Sequence, residues 1–146
     1  MGTRLPIAAV AVDLDGALGD TSRLWRDWLE DAGRRARVDV NALDEELPNW
    51  RQLLQRFAEE RAPVYLRPDA EASAALRRLH GAGTRIGVFT DAPEELARVA
   101  LAQLGAARRI EILETGDGAL ERVLEQLGDD VRIVRTRAEL LDLRHR

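Results

Sequence analysis

The stretch Ile7-Ala-Ala-Val-Ala-Val-Asp-Leu-Asp-Gly16 decides how the rest of the chain is read. Ile7 to Val12 is short, continuous and apolar, as a strand buried on both faces of a parallel sheet must be. It runs without a break into two carboxylates and a glycine. The pattern therefore predicts a central strand that delivers Asp13 and Asp15 to its carboxyl end, where a polar loop, Asp13 to Asp20, begins.

A helix is expected to start near Asp20 or Thr21, either of which can cap it. Its apolar stripe is Leu24, Trp25, Trp28, Leu29 and Ala32, with Gly33 as its stop. Arg34 to Pro63 reads as two short helices, the second carrying Trp50, Leu53, Leu54 and Phe57 at helical spacing. All three tryptophans fall within this helical stretch, where packing explains them better than a substrate platform does.

From Pro68 the rhythm becomes βα units. A helix over Pro68 to His80 stops at Gly81, and strand Arg85–Thr90 follows. Asp91-Ala-Pro-Glu94 has the form of a capping box opening a helix with Leu96, Val99, Ala100 and Leu104, which stops at Gly105. Strand Ile110–Leu113, turn Thr115–Gly118 and a helix with Leu120, Val123, Leu124 and Leu127 come next. Strand Val131–Val134 and a short helix with Leu140 and Leu141 close the chain. Alternating strands and helices imply a Rossmann-like α/β fold, a parallel sheet of about four strands with right-handed crossovers. Ligands bind such sheets beyond the carboxyl ends of the strands. Asp13, Thr90, Glu114 or Thr115, and Arg135 occupy those ends.

Composition bounds the function. A net charge of −4 argues against a nucleic-acid-binding role, and no run is apolar enough to span a membrane. Cysteine is absent, which removes disulfides, thiolate metal sites and cysteine nucleophiles and suits a cytoplasmic location. All 22 basic residues are arginine, so any mechanism that needs a lysine ammonium must use a guanidinium instead.

Two carboxylates two residues apart at a strand end can divide labour, one attacking an electrophile while the other moves protons. Their joint charge calls for a hard cation such as Mg²⁺. A glycine directly after them lets the backbone turn and present amides to an anion. The order apolar strand, Asp13-Leu-Asp-Gly16, helix resembles the first signature of the haloacid-dehalogenase-like (HAD) hydrolases. Val88-Phe-Thr-Asp91 is similar to their second.

This resemblance implies a core of residues 1–19 and 64–146 with a small helical cap at 20–63, and a sheet order of last, first, second, third strand. It implies Asp13 as nucleophile towards a phosphoryl group and Asp15 as general acid/base. Thr90, Asp91 and Gly16 would bind phosphate, and Asp13, Asp15 through its backbone carbonyl, and Glu139 would hold Mg²⁺. The second aspartate points to phosphate chemistry rather than dehalogenation.

The chain departs from the family pattern twice. Gly116 to Glu121 offers no cation where the third signature has Lys or Arg; Arg108 and Arg109 are the nearby substitutes, although both precede the third strand. Arg135 stands where the fourth signature has a metal-binding acid, with Glu139 four residues on. Two readings follow. One is a phosphomonoesterase for a small phosphorylated molecule, weakened by these losses, with Arg135 doing the missing cation's work. The other is a catalytically inactive binding or scaffolding module, whose Trp- and Leu-rich helical insert could pair two copies of the chain. Elsewhere, His80 fits the end of a helix better than a catalytic role, and His145 falls in the terminal tail.

Overall fold

The computed structural model describes residues 7–143. Strand β1 (Ala9–Asp13) lies at the centre of a four-stranded parallel sheet with β2 (Arg85–Thr90), β3 (Ile112–Thr115) and β4 (Val131–Val134), in the order β3-β2-β1-β4. This is the order expected. Asp13 is the last strand residue, aligned with Phe89 on one side, while Val12 aligns with Val134 on the other. Asp13, Thr90, Thr115 and Arg135 consequently emerge along one edge.

The two faces of the sheet are covered unequally, and the alternation of side chains along β1 explains how. Val10 and Val12 point into a large apolar cluster with Ile86, Val88 and Val134. Ala9 and Ala11 point the other way, into a smaller cluster with Phe89, Ala119, Val123 and Leu127. That second face is covered by helix α6 (Ala119–Leu127), which packs on β2 and β3. Small residues there allow a close approach: a Cβ on Gly87 would sit 2.7 Å from Val123 Cγ1.

The other helices are α1 (Ser22–Ala36), α2 (Leu43–Glu46), α3 (Trp50–Tyr65), α4 (Ala70–Gly81), α5 (Glu94–Gln103) and α7 (Arg137–Asp142). They join the larger apolar cluster, α4, α5 and α7 directly against strands and the rest through neighbouring helices and turns. Leu24, Trp28, Trp50 and Leu54 of the insert share one apolar cluster with Leu76, Leu96 and Leu140. The tryptophan rings stack and tilt on one another with centroids 5.6 to 6.1 Å apart, and Trp50 Nε1 donates to Asp44 Oδ1. Trp28 and Trp50 are buried, so packing is their role and neither ring is a surface feature. Among the described residues no helix is long and apolar enough to cross a membrane.

Several boundaries differ from expectation. Helix α1 continues through Gly33 to Ala36 and ends on Arg37 in the left-handed region, φ 55°. Amphipathic periodicity carries past a single glycine, because the cost is only about 1 kcal/mol relative to alanine. The second insert helix is not short: α3 has 16 residues and runs past Pro63, whose missing N–H falls in the last turn. Strand β3 begins two residues later than Ile110, since the turn Ala107–Arg109 and the single bond from Glu111 N to Ile86 O use up the intervening residues. Asp91 caps nothing. Helix α5 starts at Glu94 after Pro93 without a side-chain cap, and Thr90 Oγ1 accepts the Ala92 N–H instead. His80 does lie in the last turn of α4, while His145 is outside the described residues.

Candidate active site

Beyond β1 the chain makes one wide turn, Leu14–Leu18, closed by bonds from Gly16 N to Gly19 O and from Gly19 N to Leu14 O. Gly16 adopts φ +118°, a conformation that side chains resist. A Cβ there would also lie 2.5 Å from the Arg135 carbonyl oxygen. The glycine is thus needed for two reasons: the turn itself and the close approach of the loop that follows β4. No anion-binding amide need be invoked to explain it.

Asp13, Asp15, Phe89, Thr90, Asp91 and Arg135 line one cavity of about 360 Å³, completed by the start of α6 from Gly118 to Glu121. The three side chains on which the sequence reading depends therefore converge. Their detailed engagement differs from the roles expected of them.

Asp15 is held fast. Its Oδ1 accepts from the Thr21 amide at 2.7 Å and the Thr21 hydroxyl at 2.8 Å. Its Oδ2 accepts from the Thr90 hydroxyl at 2.7 Å. Thr90 is buried, so its hydroxyl serves the carboxylate and the Ala92 amide rather than an incoming phosphate. Asp15 thereby ties the loop after β1 to the end of β2 and the start of α1. Thr21 was read only as a helix cap; its real partner, six residues back, cannot be found from local patterns.

Asp13 is freer. Its Oδ1 accepts the Asp15 amide at 3.1 Å, and its Oδ2 lies 3.9 Å from Arg135 Nη1. Burial pushes the Asp13 carboxyl above the ordinary carboxylate range. The Asp15 amide opposes this, the charge of Asp15 adds to it, Arg135 opposes it and Asp91 adds to it. A poorly solvated carboxylate facing a cavity is suited to nucleophilic attack.

Arg135 is fixed through its backbone. Its N–H donates to Glu139 Oε1 at 3.2 Å, and its guanidinium lies over the Phe89 ring, 5.5 Å from the centroid. Glu139 also accepts from the Thr136 hydroxyl, and Thr136 Oγ1 in turn accepts the Glu139 amide at 3.1 Å. Thr136 is the side-chain cap of α7, and Glu139 reaches back to the amide of Arg135, one residue before the cap. Glu139 is therefore occupied there, and it is not among the residues lining the cavity.

The donor set does not suit Mg²⁺. Glu139 is turned to the start of α7 and lies off the cavity, and Arg135 brings a positive charge to the end of β4, 3.9 Å from Asp13 Oδ2. Among the described residues, no group of three or more acids and histidines is arranged to hold a metal.

The cation expected near the third strand is also accounted for. Arg108 and Arg109 line a different cavity, around Thr84 and Glu111. Arg122, which the sequence reading passed over, bonds Glu114 Oε1, the Thr115 carbonyl and the Asp117 carbonyl at 2.6 to 2.8 Å. It braces the turn that brings α6 to the cavity. A larger cavity of about 600 Å³ opens between α3 and α5, but its acids Glu59, Glu94 and Glu95 are engaged by Gln55, Arg98 and Arg51. It offers no nucleophile.

Neither family models nor curated proteins match the chain. A solved structure does, described as "Crystal structure of putative beta-phosphoglucomutase from Thermotoga maritima". It is 22% identical, with a TM-score of 0.56, over 92% of this chain and 80% of that one. The likeness establishes the fold alone, a Rossmann-type parallel sheet with helices inserted after the first strand.

Proposed function

We propose that the protein is a HAD-like phosphomonoesterase with an impaired centre, which takes a small phosphate monoester into the cavity beside Asp13 and turns it over slowly. The observation that carries this reading is the convergence of Asp13, Asp15 and Thr90 on one cavity at the tips of β1 and β2. Residues 20–63 would act as the cap that limits what enters.

The chemistry is a double displacement. An Asp13 oxygen bonds to phosphorus as the ester oxygen leaves with its electron pair; water then cleaves the aspartyl phosphate, restoring the carboxylate and releasing inorganic phosphate. Two features slow it. Among the described residues lining the cavity, four carboxylates (Asp13, Asp15, Asp91 and Glu121) face one guanidinium, that of Arg135, so a phosphate dianion enters against net negative charge. Asp15, the assigned proton donor, already accepts three hydrogen bonds, which leave one lone-pair site, on Oδ2, to carry a proton and restrict where it can be delivered. Leaving groups that need no proton should therefore react best.

Turnover of an aryl phosphate by wild type, with none of an alkyl phosphate and none by Asp13→Asn, is the expected outcome. Equal rates for wild type and Asp13→Asn would remove the nucleophile assignment. Absence of all turnover would favour the second reading, an inactive binding or scaffolding module, which the restraint on Asp15 also supports.

A further inference from the structure

We infer that Arg135 is the resident cation of the Asp13 cavity, standing in for the divalent metal, so that the site works without Mg²⁺. The inference deepens the phosphomonoesterase reading and rests on it for the identity of the ligand, a phosphate-class oxyanion. It does not rest on it for the claim about metal.

Three observations carry it. The first is that the position of Arg135 is built rather than incidental. Gly16 leaves room for the Arg135 carbonyl where any side chain would collide, the Glu139 carboxylate holds the Arg135 amide, and Phe89 supports the guanidinium from below. The second is distance. At 3.9 Å from Asp13 Oδ2, the guanidinium neutralises the carboxylate without a close hydrogen bond, which leaves its donors available to an oxyanion. The third is the state of Glu139. This residue, the acid nearest to where the end of β4 would complete a metal site, does not line the cavity, and its Oε1 accepts from the Thr136 hydroxyl and the Arg135 amide. A dication beside Asp13 would meet the positive charge of Arg135, whose Nη1 lies 3.9 Å from Asp13 Oδ2.

The test is Mn²⁺ alone, titrated into the metal-stripped full chain and followed by electron paramagnetic resonance. Wild type should bind no Mn²⁺ at the cavity below about 1 mM, and Arg135→Asp should gain binding by roughly tenfold or more. Arg135→Gln, which removes the charge and adds no acid, should gain binding too, and it carries the test if the aspartate variant fails to fold. Tight wild-type binding that Asp13→Asn abolishes would overturn the inference. So would two folded Arg135 variants that bind no better than wild type. A parallel assay in EDTA separates the two readings: unchanged aryl-phosphate turnover supports the resident cation, and loss of turnover that Mg²⁺ restores refutes it. A chain with no turnover under any condition sinks the phosphomonoesterase reading while the Mn²⁺ result still stands or falls by itself.

Discussion

At the scale of single residues, Asp13 and Asp15 look alike in the sequence and do different work in the fold. Asp15 accepts three short hydrogen bonds from two threonines, and its carboxylate joins three parts of the chain. Asp15→Asn leaves one acceptor oxygen and turns an amide group towards a donor. Hydrogen bonds to a charged partner are worth about 1.5–3 kcal/mol each, and the variant should lose at least that much stability in urea unfolding. A variant as stable as wild type would mean that the bonds are not formed in solution. Asp13 behaves oppositely. Its carboxyl is raised above the ordinary 3.8 by burial, so from about pH 4 upward, through its raised range, the folded state keeps a proton that the unfolded chain has released. Its contribution to stability therefore falls as pH rises across that window. Asp13→Asn should remove this dependence and melt at a higher temperature than wild type at neutral pH. A lower melting temperature at pH 7 would show that the ionised carboxylate is well satisfied in the folded state.

At the scale of elements, sequence periodicity was a good guide wherever an element's ends are set by its own residues. Arg85–Thr90 and Val131–Val134 are strands at the expected limits, because apolar runs bounded by polar turns leave little choice. It failed where distant partners decide. Asp91-Ala-Pro-Glu94 has the spacing of a capping box, yet the Thr90 hydroxyl takes the Ala92 amide and α5 starts later. Thr136 caps α7 by accepting the Glu139 amide, and Glu139, which the family resemblance places on a metal, reaches instead to the Arg135 amide. Thr136→Ala should cost about 1 kcal/mol by loss of the cap. It should also loosen the Arg135 backbone, since Glu139 holds the Arg135 amide. Stability unchanged by this substitution would make the cap unimportant to the placement of Arg135.

At the scale of the whole molecule, the buried strand and its carboxylates carried most of the architecture: a four-stranded parallel sheet, its order, and helices inserted after the first strand. The convergence of Asp13, Asp15, Thr90 and Arg135 was also legible, since all four lie at or just beyond strand ends. The bond from Thr90 to Asp15, 75 residues apart, and the two bonds from Thr21 were not, because hydrogen-bond partners leave no periodic trace. Nor was the brace made by Arg122, whose targets include two backbone carbonyls. The most direct measurement of the site is a crystal structure grown with Mn²⁺ and a tungstate phosphate mimic, read by anomalous scattering. The account predicts tungstate against the Arg135 guanidinium, with that guanidinium still beside Asp13 and no manganese peak in the cavity. Manganese bound to Asp13 and Asp15, with Arg135 turned out to solvent, would contradict it.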